Sequence, residues 1–113
     1  MVIVRSRIPF SDLELIARNQ FGELVKAVVD VERGIMAIGG DMHSDEEAEL
    51  LSDGSQQRHL WGINLYPDVA SDDWVEFDSV INIRPSQGNR SRGVDDPDTR
   101  KAVLAVVSRL VAR

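Results

Sequence analysis

Between residues 24 and 38 the chain alternates apolar and polar side chains, and this pattern places a β-hairpin at the centre of the fold. Every second residue from Val25 to Val31 is apolar, whereas Lys26 and Asp30 between them are charged. A period of two is typical of a strand that buries one face. An Arg-Gly pair then leads into a second apolar run, Ile35–Ile38, so the two runs are predicted to pair.

Apolar periodicity elsewhere predicts the remaining elements. Asp96 followed by Pro97 is a typical N-cap and first helical position, and apolar residues recur behind it at helical spacing. Ser11 and Ser44 each precede a glutamate by three residues, which favours two further helix starts. The other predicted strands are Val2–Val4, Leu60–Tyr66 and Trp74–Ile83.

This order of elements indicates an α+β fold in a single domain, residues 1–113. We predict a two-layer sandwich: a mostly antiparallel sheet of about five strands with two main helices on one face and one short extra helix.

Composition excludes several classes of function. A chain of 113 residues with 42% hydrophobic content supports one core. No apolar run approaches the roughly 20 residues that span a bilayer, and the sequence from Met1 resembles no leader, so we expect a cytoplasmic protein without a membrane partner. The lack of cysteine excludes thiolate metal sites, and a net charge of -6 disfavours nucleic acid as a partner.

The arginine loop, residues 84–93, reverses the sign of this charge locally. It holds three arginines and no acid, and it lies just before a predicted helix start. Guanidinium groups and main-chain N–H groups freed by glycine suit a phosphate or carboxylate, so a small anionic ligand is the predicted partner. The predicted ligand-binding residues are Asn64, Asn82, Arg84, Gln87, Asn89, Arg90, Ser91 and Arg92.

Asp78 and His43 are the candidate catalytic residues. Asp78 falls on the polar face of the last predicted strand, and a register that places Tyr66 opposite Glu76 would bring Asn64 opposite Asp78. Asp78 could then act as a general base or as a metal ligand, with His43 assisting. Asp41, Glu46 and Glu47 lie near His43 in sequence, but a histidine ahead of a helix is more often a surface residue, so we predict no metal site.

Four segments of the chain resemble a family of short, uncharacterised bacterial and archaeal proteins, a domain of unknown function. These segments are Ala27–Glu32, Met36–His43, Leu60–Pro67 and Phe77–Gly93. The resemblance extends over nearly the whole chain. It implies membership of a class, and it implies no activity, cofactor or site residue.

Three functions therefore remain open at the level of sequence. The first is binding of a small anion by the arginine loop. The second is hydrolysis or transfer at a phosphoester through Asp78. The third is a homo-oligomeric interaction module, in which the arginine loop docks on the acids of residues 45–49 in a neighbouring copy.

Overall fold

The computed structural model describes residues 1–113, which form seven strands and three α-helices. The strands are β1 (Val2–Val4), β2 (Ile8–Pro9), β3 (Val25–Asp30), β4 (Ile35–Ile38), β5 (Leu60–Leu65), β6 (Val75–Glu76) and β7 (Val111–Ala112). Five of them make an antiparallel sheet in the order β1-β4-β3-β5-β6, whereas β2 and β7 form a separate parallel pair. The predicted α+β class, the five-stranded antiparallel sheet and the β3–β4 hairpin are confirmed.

The helices are α1 (Phe10–Asn19), α2 (His43–Ser52) and α3 (Pro97–Leu110). The cap predicted at Asp96 is confirmed, since its carboxylate accepts hydrogen bonds from the Thr99 amide at 3.1 Å and the Thr99 hydroxyl at 2.8 Å. The two serine caps are wrong: α1 and α2 each begin one residue before the serine, without a side-chain cap. Phe10 is the first residue of α1, and its ring packs edge-on against Trp74, with ring centres 6.1 Å apart. None of the helices combines the length and apolar character that crossing a membrane requires.

The main core lies between one face of the sheet and the helices α1 and α3. Nineteen buried side chains form it, and they include Leu13 from α1 and Val103 and Leu110 from α3. The side chains of β3 that alternate inward, Val25, Ala27 and Val29, belong to this core as the period of two predicts. Both main helices therefore cover the same face, as predicted.

The short helix α2 covers part of the opposite face. Beneath it lies a smaller apolar cluster that includes Val28 and Leu50. The Glu46 side chain is also buried there, with one carboxyl oxygen accepting from the Gly40 amide at 3.0 Å and the other without a partner. Removal from water disfavours the charged form, so burial raises the pKa of Glu46 to about 9. Gly40 has no room for a side chain, since a Cβ would lie 2.7 Å from the Glu46 Cγ.

The strand predicted at Trp74–Ile83 ends at Glu76, so the prediction is wrong for the residues that follow. The chain leaves the sheet there and makes a 3-10 turn at Val80–Asn82. The physical reason is the Asn82 side chain, which donates to the Gly62 carbonyl at 2.9 Å and accepts from the Gly62 amide at 2.8 Å. A side-chain amide thus pairs the edge of β5 where a neighbouring strand would otherwise do so.

The predicted register between the last two strands is wrong by two residues. Glu76 pairs with Asn64 and not with Tyr66, whose amide bonds to the Trp74 carbonyl at 2.8 Å. A shift of two residues keeps each side chain on its face of the sheet. Asn64 consequently still lies beside Asp78, and its side chain donates to the Asp78 carbonyl at 3.3 Å.

Candidate functional site

Two buried asparagines hold the arginine loop in place. Asn82 is 0% exposed, and besides Gly62 its amide donates to the Arg92 carbonyl at 2.9 Å. Asn89 is 3% exposed; it donates to the Asn82 carbonyl at 2.7 Å and accepts from the Asp95 amide at 2.8 Å. Because the main chain fills the hydrogen-bonding capacity of both amides, these two predicted ligand-binding residues shape the loop from inside.

Arg84 and Gln87 tie the loop to the segment that precedes β5. The Arg84 guanidinium donates to the carbonyl oxygens of Gln57 and Leu60, and its central carbon lies 4.1 Å from the centre of the Trp61 ring. The Gln87 side chain donates to the Arg58 carbonyl at 3.0 Å. Three of the four carbonyl groups of residues 57–60 thereby accept hydrogen bonds from the arginine loop, and these bonds fix the Arg84 and Gln87 side chains in place.

The remaining arginines of the loop differ in their surroundings. Arg92 pairs with Asp78, with Nε and Oδ1 2.5 Å apart, and both side chains are largely exposed. The Ser91 hydroxyl donates to Asp95 at 2.6 Å, which lowers the pKa of that carboxyl. The Arg90 amide also donates to Asp95, but the Arg90 guanidinium has no hydrogen bond or ion pair. Arg90 is the only arginine of the loop whose guanidinium has no partner in the protein.

The two candidate catalytic residues lie on either side of Asn64. The His43 ring donates from Nε2 to the Ile63 carbonyl at 2.8 Å, which leaves Nδ1 as the basic nitrogen of the neutral ring. Burial lowers the pKa of His43. The hydrogen bond to the Ile63 carbonyl and the nearby Asp78 and Asn64 side chains oppose that shift without reversing it. One Asp78 oxygen is bound by Arg92. The structure therefore brings His43, Asn64 and Asp78 together, whereas the sequence predicts only that Asn64 lies beside Asp78.

A cavity of about 310 Å³ lies beside the arginine loop, and we call it the loop cavity. Three elements enclose it: the turn before β5, the middle of the arginine loop and the beginning of α3. Its lining consists of Val31, Arg58, His59, Trp61, Gln87, Gly88, Asn89, Asp96 and Thr99.

Arg58 supplies the free positive charge of the loop cavity. The three ion pairs of the molecule involve Arg5, Arg33 and Arg92, so Arg58 has no acidic partner. Its Nε donates to the His59 Nε2 at 3.3 Å, and its two terminal nitrogens make no hydrogen bond. Asp96, the one acid of the lining, is already bound by Thr99. An anion entering the cavity therefore meets the two free terminal nitrogens of Arg58, with the Asp96 carboxylate as the one opposing charge in the lining.

Arg58 and His59 are not among the site residues predicted above, although the sequence contains a signal for them. They directly precede the strand predicted at Leu60–Tyr66, and the arginine loop directly follows the next predicted strand. In an antiparallel pair, the start of the first strand lies beside the end of the second. The same prediction that located the loop thus implied that Arg58 and His59 would lie next to it.

Comparison with known proteins gives one match. The sequence fits a protein-family model over residues 2–110, and the description of that family is "Protein of unknown function (DUF5674)". No curated protein and no solved structure gives a significant match. Because the match extends over nearly the whole chain, the protein belongs to the DUF5674 family of proteins of unknown function.

Proposed function

We propose that the protein binds a small molecule bearing a phosphate or carboxylate group in the loop cavity. The observation that carries this proposal is the Arg58 guanidinium, which lines the cavity and has no acidic partner. Guanidinium groups bind phosphate and carboxylate through two parallel hydrogen bonds, and the two terminal nitrogens of Arg58 are free to make them.

The size and the walls of the cavity support a small ligand. A volume of about 310 Å³ is at the lower end of the range for ligand sites. The Gln87 side chain that lines the cavity is fixed by its hydrogen bond to the Arg58 carbonyl, and Arg84 behind it is fixed in the same way, so little ordering is needed on binding. His59 adds a second ring nitrogen beside Arg58 that can donate to an anion.

In this proposal the arginine loop acts mainly through its shape. Arg84, Asn82 and Asn89 are engaged with the main chain, and they position Gln87 and Gly88 along the cavity. The direct positive contact comes from Arg58. Arg90, whose guanidinium is also free, does not line the cavity and serves as a matched control.

The experiment is a ligand titration of the wild-type protein, Arg58→Gln and Arg90→Gln. Inorganic phosphate, sugar phosphates and small dicarboxylates are the probes, and affinity is measured by calorimetry and by the indole N–H resonance of Trp61. We expect Arg58→Gln to weaken binding by about tenfold or more, because a charged hydrogen bond contributes roughly 1.5–3 kcal/mol. Arg90→Gln should bind as the wild type does.

Two results would overturn the proposal. Equal affinities of the wild type and Arg58→Gln would remove the loop cavity as the site. A loss confined to Arg90→Gln, together with a dimer that dissociates in high salt, would instead favour docking of the loop on a neighbouring copy.

A second candidate function is phosphoester hydrolysis at Asp78. The position of His43 and Asp78 next to the same side chain, that of Asn64, favours it. Arg92 binds Oδ1 of Asp78, so Oδ2 is available to accept a proton from an attacking water. Asp78→Asn should abolish release of phosphate from a panel of phosphoesters while the unfolding temperature stays nearly constant. Asp73→Asn, also exposed, is the control, and full activity in Asp78→Asn would exclude this candidate.

A further inference from the structure

A larger cavity lies on the other side of α3, away from the arginine loop. Its volume is about 530 Å³, and we call it the α3 cavity. Trp74 and Val75 form one wall, and Leu104, Val107 and Val111 form the other. β6 has only two residues, so no strand continues the sheet across this opening.

The α3 cavity has a mixed lining, in which the apolar side chains are mostly members of the main core. Trp74, Val75 and Val107 are at least nine-tenths buried and belong to the main core. Leu104 is an exception: it lies on the same helix as Val107 but remains 40% exposed at the rim. Burial of apolar surface stabilises a bound molecule by about 25 cal/mol per Å². The exposed part of Leu104 supplies most of that surface here, and Trp74 contributes only the small part of its ring that remains uncovered.

Positive charge lies at the rim of these apolar walls. The Arg7 side chain is exposed and makes no hydrogen bond or ion pair. The Arg113 guanidinium lies 4.4 Å from the centre of the Trp74 ring and donates to the Val69 carbonyl. Asp72 is the one acidic side chain in the lining, beside the two arginines. An apolar surface with a free arginine at its edge matches an amphipathic anion.

We infer that the α3 cavity binds a monocarboxylate with an apolar body. The carboxylate pairs with Arg7, and the apolar body lies against Trp74, Leu104 and Val107. Asp72 disfavours ligands of higher negative charge, such as phosphate monoesters, because a second negative charge would be repelled. This site shares no lining residue with the loop cavity, and it differs from it in requiring an apolar body on the ligand.

Trp74 allows a direct test, because the chain has only two tryptophans. In the Trp61→Phe variant Trp74 is the sole tryptophan, and its fluorescence reports occupancy of the α3 cavity. Octanoate is the probe, and 1-octanol is the uncharged control. We expect a saturable fluorescence change with octanoate and at least tenfold weaker binding of 1-octanol.

Substitutions then separate charge from shape. Arg7→Gln in this background should reduce the affinity for octanoate to about that for 1-octanol, whereas Arg18→Gln, an exposed arginine on α1, should have no effect. Ser108 lines the cavity and is exposed, so Ser108→Phe should fill it without loss of the fold and abolish binding of both probes.

Three outcomes would overturn the inference. Equal affinities for octanoate and 1-octanol would show that the arginine does not select an anion. Unchanged octanoate binding in both Arg7→Gln and Ser108→Phe would place the ligand elsewhere. A fluorescence change that follows protein concentration, with a dimer detected by light scattering, would assign the cavity to a second copy of the chain.

Discussion

At the scale of single residues, Asn82 has the largest structural role of the predicted site residues. Its one amide group bonds to both the N–H and the C=O of Gly62 and to the Arg92 carbonyl, so it joins β5 to the far end of the arginine loop. Buried polar groups are costly when a partner is lost. The position therefore requires an acceptor and a donor at once, and only an amide supplies both at this length.

Asn82→Asp tests this requirement with little change of volume. The carboxylate keeps the bond from the Gly62 amide but places its second oxygen against two carbonyls. We expect a loss of about 3 kcal/mol or more in the free energy of unfolding at pH 7, measured in urea. The loss should shrink near pH 4, where the protonated acid can donate one bond; a pH-independent loss would contradict this account.

Glu46 makes stability depend on pH in the opposite sense from most carboxyl groups. Its pKa rises from an ordinary value of 4.5 to about 9 in the folded protein, so between these values the native state holds a proton that the unfolded state has lost. The stabilising effect is complete below pH 4.5 and is lost as the pH rises towards 9. The loss from this group is at most about 1.4 kcal/mol per pH unit.

Glu46→Gln removes this titration. The difference in unfolding free energy between the variant and the wild type should increase steadily in favour of the variant from pH 5 to pH 9. Urea denaturation at several pH values measures it. A constant difference over this range would mean that the Glu46 carboxyl is not held in its protonated form.

At the scale of secondary-structure elements, β5 and the turn at Val80–Asn82 are packed without spare space. A Cβ on Gly62 would lie 2.6 Å from the Ser79 Cβ and 3.2 Å from the Ile81 Cγ1. We expect Gly62→Ala to reduce the free energy of unfolding by about 1–3 kcal/mol, because the turn must shift. Thermal and urea unfolding measure this change.

Ser79→Gly provides the matched test of that contact. It removes the atoms nearest to the new methyl group, so the double variant should be more stable than the sum of the two single losses predicts. Simple additivity would show that the contact between the two positions does not limit stability.

The elements that could be predicted from the sequence are those whose signals are local. Alternation in Val25–Val31 gave the first strand of the hairpin, and Asp96 gave the start of α3. The strand predicted beyond Glu76 does not form. Phe77, Ile81 and their neighbours alternate as a strand would, but the Asn82 side chain occupies the edge of β5 with which they would pair. Local periodicity carries no information about such a long-range contact.

The candidate site was predictable in part for the same reason. The arginine loop is evident in the sequence as a local reversal of charge. The predicted contact of Asn64 with Asp78 is present although the strand register was wrong, because a shift of two residues keeps each side chain on the same face of the sheet. The internal roles of Arg84 and Asn89 depend on carbonyl groups distant in sequence. The free guanidinium of Arg58 becomes apparent only when those contacts are known.

At the scale of the whole molecule, α3 separates the two proposed sites. Its first turn lines the loop cavity through Thr99, and its last turns line the α3 cavity through Ser108. Nine residues of helix put these positions about 14 Å apart along the axis. No residue lines both cavities, so each is expected to fill independently.

Simultaneous binding follows from this separation. The affinity for octanoate should change by less than about twofold when inorganic phosphate saturates the loop cavity, because sites that share no residues are seldom coupled. Calorimetric titration in the presence and absence of phosphate measures it. Competition between the two probes would show that they share one site.

The position of Arg113 has a practical consequence for labelled or immobilised protein. Its guanidinium stacks on Trp74 at the α3 cavity, which lies at the β6 edge of the sheet. Met1 instead precedes β1, the strand at the opposite edge. A polyhistidine tag or fluorophore attached after Arg113 would crowd the cavity and distort any measurement of its ligands, whereas the same group placed before Met1 would leave the cavity open.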